Sequence, residues 1–561
     1  MDSQKRKRTA VACHYCRKRS ISVDVTDDIL DRLQRLEQSL NALASITSTF
    51  DHGFTPGSFG HLSSNQLSDS SFPSPGYGQL PIHPSLYAQS PPTNVATLAT
   101  HHRGAGSEFT PMTIPVSHST TTGSLLQSRS AKSLLGDYPS DLFSRVETKR
   151  PLPSALSLTP LPLGQIRFPD FSDETAAPLV DNYFYLVSPQ HPILNRDDFE
   201  PIYQEVCSEG LRANLGSSLV LVVLALGKAA VATPDLRNEA WLPGVELFTP
   251  ALQVLLKAWF DEFGDDILLP QGLYLAALYY SYLSRPLQTW RLVHMASTSI
   301  QHFPIRHRSM QQLLEETVEH QPVTRLCWAA FILECGIDQV IENLSFPRVG
   351  NPPEPELLYW LANISARRLL NRIHHVMYDT ATSFTTRPTG DVVEDVSSKQ
   401  STSLFTVATE LSHQLGAWFE LLPAAIKPDL NNPDPSVDEA IVMLRYHAAG
   451  DMIFRPFLHQ VCRWPSGSAP PEMVVENARR CLLHCRGYLV VVEFRLKAAL
   501  AAIVLLTLAS LSPILYSDVP DIDRLQRHAI SLFQKWAFPK SSIETMLTIL
   551  RTLRAKYQQL Q

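Results

Sequence analysis

At 561 residues the chain exceeds what one hydrophobic core usually organises, which excludes a single small module and predicts regions of different character. Its 44% hydrophobic and 18% charged residues are globular on average, and a net charge of -6 excludes a protein that coats nucleic acid along its whole length. Eight cysteines scattered from Cys13 to Cys485 exclude a disulfide framework and fit a reducing compartment.

Residues 1–23 form a basic segment. Seven Lys and Arg fall within the first twenty positions, so any polyanion contact is local. Lys5, Arg6, Lys7 and Arg8 read as a nuclear-import signal or as phosphate contacts, and both roles can share the residues. No apolar stretch follows them, so a secretory leader is not expected, and the sequons at Asn343 and Asn363 carry no glycosylation meaning. Cys13 and Cys16 can bind one soft cation from a single turn, and zinc prefers tetrahedral sulfur sites of this kind. A lone pair is half a site. A redox pair, which lacks its usual βαβ surroundings here, and two unrelated cysteines are the alternatives. Arg17, Lys18 and Arg19 complete a cationic collar suited to DNA phosphates.

Over 26–50, Ile29, Leu33, Leu36, Leu40 and Leu43 recur at steps of four and three, which puts them on one helical seam with Asp31, Arg32, Arg35 and Glu37 off it. This predicts a short coiled coil that pairs two copies, in preference to an amphipathic helix packing on its own domain. So few heptads pair weakly on their own. Residues 51–160 are read as a disordered linker. Between positions 51 and 140, 36 of 90 residues are Ser, Thr or Pro and seven are charged, too little apolar surface to offset chain entropy.

From 161 to 561 helical periods follow one another, at 177–187, 215–230, 247–263, 272–284, 289–302, 323–341, 356–380, 404–422, 437–461, 473–510 and 522–536. Alternating strand patterns are missing, so a large all-α domain is expected. The apolar run 498–516 carries Thr507, Ser510, Ser512 and Pro513 and reads as a core helix rather than a membrane span. Phosphate-loop, nucleophile-elbow and zinc-protease motifs are missing, so no enzyme is expected. His374 and His375 are adjacent and diverge on a helix by about 100°, too far to share a metal. Cys481 and Cys485, with His484 between them, share a helix face. They read as buried free thiols in preference to a metal pair. Trp290, Trp328 and Trp418 read as core anchors in preference to a ligand cage.

Residues 12–19, Ala-Cys-His-Tyr-Cys-Arg-Lys-Arg, resemble the opening of the fungal binuclear zinc-cluster family, the Zn(2)-Cys(6) transcription factors. That resemblance implies six cysteines holding two Zn2+ ions and a short helix, beginning at Arg17-Lys18-Arg19, that enters the major groove. The sequence departs from the pattern where the third cysteine is due: the position is Val23, and the next cysteine is Cys207. A deletion of the cluster's second half explains this in one event, either at a misplaced or alternative splice junction or as a genuine loss of metal-dependent DNA binding.

The helical region is similar to the family's middle homology region. The similarity rests on Leu179 to Phe184, Pro189 to Leu194 with Phe199, Arg285-Pro286 with Trp290 to Ala296, Arg325 to Glu334, Arg367 to His375, the stretch 418–423 and Phe454 to Phe457. It implies a nuclear, homodimeric transcription factor for RNA polymerase II genes, with DNA, transcription coregulators and a small-molecule effector as partners and no membrane. Secondary-metabolite gene clusters are the implied class of target. The alternative is a regulator that makes no direct DNA contact and acts through protein partners.

Overall fold

The computed structural model describes residues 120–233, 242–261, 266–306, 321–333, 346–347, 355–378, 394–465, 467–491 and 496–561, all of which lie in one of two compact units. Seventeen α-helices and no strand occur among them, as the helical periods predict. The basic segment, the coiled-coil seam and positions 51–119 of the linker lie outside the described residues.

Three short helices come first: α1 (Thr122–Leu126), α2 (Arg129–Leu135) and α3 (Leu142–Lys149). They fall in the stretch expected to be a disordered linker, which is helical and partly buried there instead. Leu125, Leu126, Ala131, Leu134, Leu135 and Leu156 are buried. Thr121 and Ser128 are not linker residues but N-caps, each accepting a backbone N–H with its hydroxyl.

The next helices are α4 (Asp173–Asn182), which runs into a π turn at Tyr183–Val187, then α5 (Arg196–Glu209), α6 (Leu215–Val231), α7 (Val245–Asp261), α8 (Leu268–Tyr282) and α9 (Pro286–Arg306). All but α9, which packs along α8, gather around α6. The Asn214 side chain caps α6 by accepting from Ser217 N–H at 2.8 Å, and Leu219 through Leu226 are buried without a break. A helix apolar all round belongs at the centre of a bundle, where each Leu or Val contributes about 1.5–3 kcal/mol. Gly227 lets α4 cross close by. A methyl group there would collide with the backbone oxygen of Leu179.

Helices α10 (Gln321–Ile332) and α11 (Pro355–Tyr378) lead from α9 to a second bundle. It comprises α12 (Glu394–Glu420), α13 (Val437–Val461), α14 (Glu472–Val491), α15 (Leu496–Ser510), α16 (Ile522–Gln534) and α17 (Ser542–Leu560). Helix α13 starts with a capping box between Ser436 and Glu439. The apolar run sits in α15, buried by α14, α16, α17, α1 and α2, as a core helix. No described helix is long and apolar enough to cross a membrane. The period read over 473–510 is described as α14 and α15, with 492–495 outside the description. Helices α5 and α17 were not anticipated.

The segment 120–150 ties the two bundles together. Arg150 donates to the Ser284 carbonyl at 2.7 Å just after α8, and the Glu147 carboxylate accepts from Ser542 N–H at 2.7 Å at the start of α17. Arg285 returns the contact by donating to the Pro151 carbonyl at 2.8 Å. Ser284 stands at φ 53, so Arg150 holds a strained turn in place.

Candidate functional site

The residues singled out for DNA, metal and dimer contacts, Lys5 to Arg8, Cys13, Cys16, Arg17 to Arg19 and the seam Ile29, Leu33, Leu36, Leu40 and Leu43, all lie outside the described residues. Within the description, titratable side chains converge where α13 packs along α14. Asp451 and Arg455 are one turn apart on α13 and both are buried. Arg455 donates Nε to Asp451 Oδ1 at 3.3 Å and Nη2 to Oδ2. It also donates Nη1 to the Thr120 carbonyl at 3.0 Å, reaching the start of the segment 120–150. Burial opposes the guanidinium charge, but the Asp451 carboxylate outweighs it and holds Arg455 above its ordinary value.

From α14, the thiols of Cys481 and Cys485 donate to the same Asp451 Oδ1 at 3.5 and 3.7 Å. Burial, the neighbouring Cys485 and the Asp451 charge push the Cys481 thiol far up. The largest influence on Cys485 is a hydrogen bond from Cys481 that favours its thiolate, but burial and the Asp451 carboxylate together outweigh it and raise the thiol as well. Both sulfurs are therefore thiols at neutral pH in the absence of a cation, and poor nucleophiles.

One turn earlier on α13, His447 Nδ1 lies 3.3 Å from His484 Nδ1 of α14. The packing is reciprocal. The His447 ring fills the notch left by Gly487, and the His484 ring fills the one left by Gly450. Burial first, and the facing imidazole second, lower His447 to about 3. Burial lowers His484 to about 4, opposed by Asp451 and assisted by Arg480. Neither ring is poised near neutrality as a general base. The Tyr378 hydroxyl of α11 donates to the Met452 carbonyl at 2.5 Å, and Arg445 donates Nε to Asn363 Oδ1 at 2.7 Å. Asn363, a formal sequon, is thus a buried structural residue.

Trp328 and Trp418 are core residues, Trp418 donating Nε1 to Ser365 Oγ at 2.9 Å. Trp290 is not. It is 57% exposed, because Trp290, His294 and Thr298 form the outer i, i+4 row of α9 while Leu292, Val293, Ala296 and Ile300 face inward. His374 is buried and its Nδ1 lies 3.2 Å from Thr120 Oγ1, whereas His375 is only half-buried, so the pair diverges as its adjacency requires.

Sequence reasoning found the two cysteines and their common face but missed Asp451, Arg455 and His447 as their surroundings. The available signal was Asp451 four residues before Arg455 in an otherwise apolar stretch of α13, a charge pair on a face that must be buried.

Residues 180–337 match the fungal specific transcription factor domain. The span reaches from the end of α4 past α10, and it includes Arg285-Pro286, Trp290 to Ala296 and Arg325 to Glu334 of the resemblance. The match supports a transcription regulator, and the domain family is regulatory rather than enzymatic. No curated protein and no solved structure matches the chain.

Proposed function

We propose that the chain is a nuclear regulator of RNA polymerase II transcription that works as a homodimer, with a secondary-metabolite gene cluster as its class of target. The observation that carries the proposal is the domain match at 180–337, downstream of the basic Cys13 to Arg19 segment and the leucine seam. Lys5 to Arg8 supply import and phosphate contact. Ile29, Leu33, Leu36, Leu40 and Leu43 pair two chains. The helical region receives coregulators or a small-molecule effector.

The donor set of the N-terminal segment does not fit a binuclear zinc cluster. Cys13 and Cys16 supply two of the four ligands that one zinc requires, and metal binding is what folds such small modules. DNA contact by this chain therefore rests on Lys5 to Arg8 and Arg17 to Arg19 as charges.

Val23 at the third-cysteine position favours a second reading, a regulator recruited to genes through a protein partner. Mobility-shift titration of the purified full chain across salt separates the two. Sequence-selective binding with a steep salt dependence supports direct contact. Weak, sequence-independent binding supports recruitment.

A further inference from the structure

We infer that Asp451, Cys481 and Cys485 form a buried binding site for one thiophilic divalent cation, zinc by charge and ligand type. Their donor atoms all lie within 4.8 Å of one another, and all three residues are buried. Two helices contribute, the carboxylate from α13 and the thiols from α14, at a place where the chains of α13 and α14 run closely side by side.

The separations suit a metal. With Zn–S near 2.3 Å and Zn–O near 2.0 Å, the S···O distances of 3.5 and 3.7 Å subtend about 109° and 119° at the ion, close to a tetrahedron. The donor atom is already oriented. Arg455 grips Oδ2 and contacts Oδ1 from one side, leaving Oδ1 turned to both sulfurs, as a carboxylate ligand is held in metal sites. The charges close as well. Binding one M2+ releases two thiol protons, forming two metal–sulfur bonds and one metal–oxygen bond. Two thiolates, one carboxylate, one guanidinium and the dication then sum to zero, the same as the unmetallated cluster. A monovalent ion bound by both thiolates would leave a buried negative charge, which is costly. The three protein donors leave one position of a tetrahedron to be filled. The bound ion would pin α13 to α14.

The test uses the full chain carrying Cys13→Ser and Cys16→Ser, which removes the N-terminal thiol pair as a source of metal. It is loaded with zinc under reducing conditions and dialysed against a weak chelator. One zinc per chain is expected to remain, and none after Cys481→Ser and Cys485→Ser are added. Asp451→Asn weakens retention at least tenfold. Cobalt in place of zinc gives a thiolate charge-transfer band in the near ultraviolet. Should the cysteine variants fail to fold, zinc X-ray absorption of the Cys13→Ser/Cys16→Ser chain decides. Two sulfurs near 2.3 Å with oxygen near 2.0 Å are expected. The inference is overturned if that chain retains no zinc, or if its zinc sees only nitrogen and oxygen.

Discussion

Asp451 Oδ1 receives Arg455 Nε and two thiols, so a single carboxylate organises three other buried side chains. Asp451→Ala leaves the Arg455 guanidinium buried without its counter-charge and is expected to cost about 3–5 kcal/mol, read as a lower urea midpoint. Adding Arg455→Met restores much of that loss, because the pair itself contributes less than its rupture removes. Two glycines give opposite signs. Gly487→Ala drives a methyl into the His447 ring and is expected to destabilise by about 1–3 kcal/mol. Gly416→Ala, on α12 with open space beside it, gains helix propensity of up to about 1 kcal/mol. The reversed order of these two midpoints would contradict the packing described. At this scale the sequence was only partly readable. Cys481 and Cys485 announced a shared face through their spacing, but their partner comes from another helix thirty residues earlier, and only the fold brings it there.

Between elements, the α13–α14 seam predicts acid sensitivity. A free imidazole titrates near 6.5, whereas burial holds His447 at about 3 and His484 at about 4. Below 6.5 the unfolded chain takes up protons that the native chain refuses. Stability is therefore complete above about pH 6.5 and falls as pH drops towards 4, with a slope of up to about 2.7 kcal/mol per pH unit for the two rings. Urea midpoints measured from pH 7 to pH 5 are expected to decline, and His484→Gln removes about half of the slope. A flat profile contradicts neutral burial. The α1–α3 segment makes a second prediction. Glu147→Ala frees Ser542 N–H and Arg150 together, so cleavage within 120–150 in limited proteolysis is expected to be faster than in the parent chain. This segment was illegible because its Ser and Thr content describes a linker, while its apolar partners, α15 and α17, lie hundreds of residues away. Helix α17 was readable in principle, from Ser541 and Glu544 as a cap followed by Met546, Leu547, Leu550 and Leu553 on one face. Its Thr, Arg and Gln dilute that stripe. The periodic helices α6, α8, α13 and α15 were plain because apolar side chains dominate them.

For the whole molecule, the described residues are helical and residues 180–337 carry the family match, while the proposed contact with DNA rests on the basic residues of 1–23. The leucine seam predicts a dimer that Leu33→Lys with Leu36→Lys dissociates, as read by sedimentation, with the helical content of the remainder retained. The match at 180–337 supports a transcription regulator. Chromatin immunoprecipitation of the tagged full chain, paired with transcript changes on its deletion, tests that role whether the chain meets DNA directly or through a partner. Enrichment at discrete promoters whose transcripts change is the predicted result. Enrichment no greater than in an untagged control, with transcripts unaltered, would contradict it.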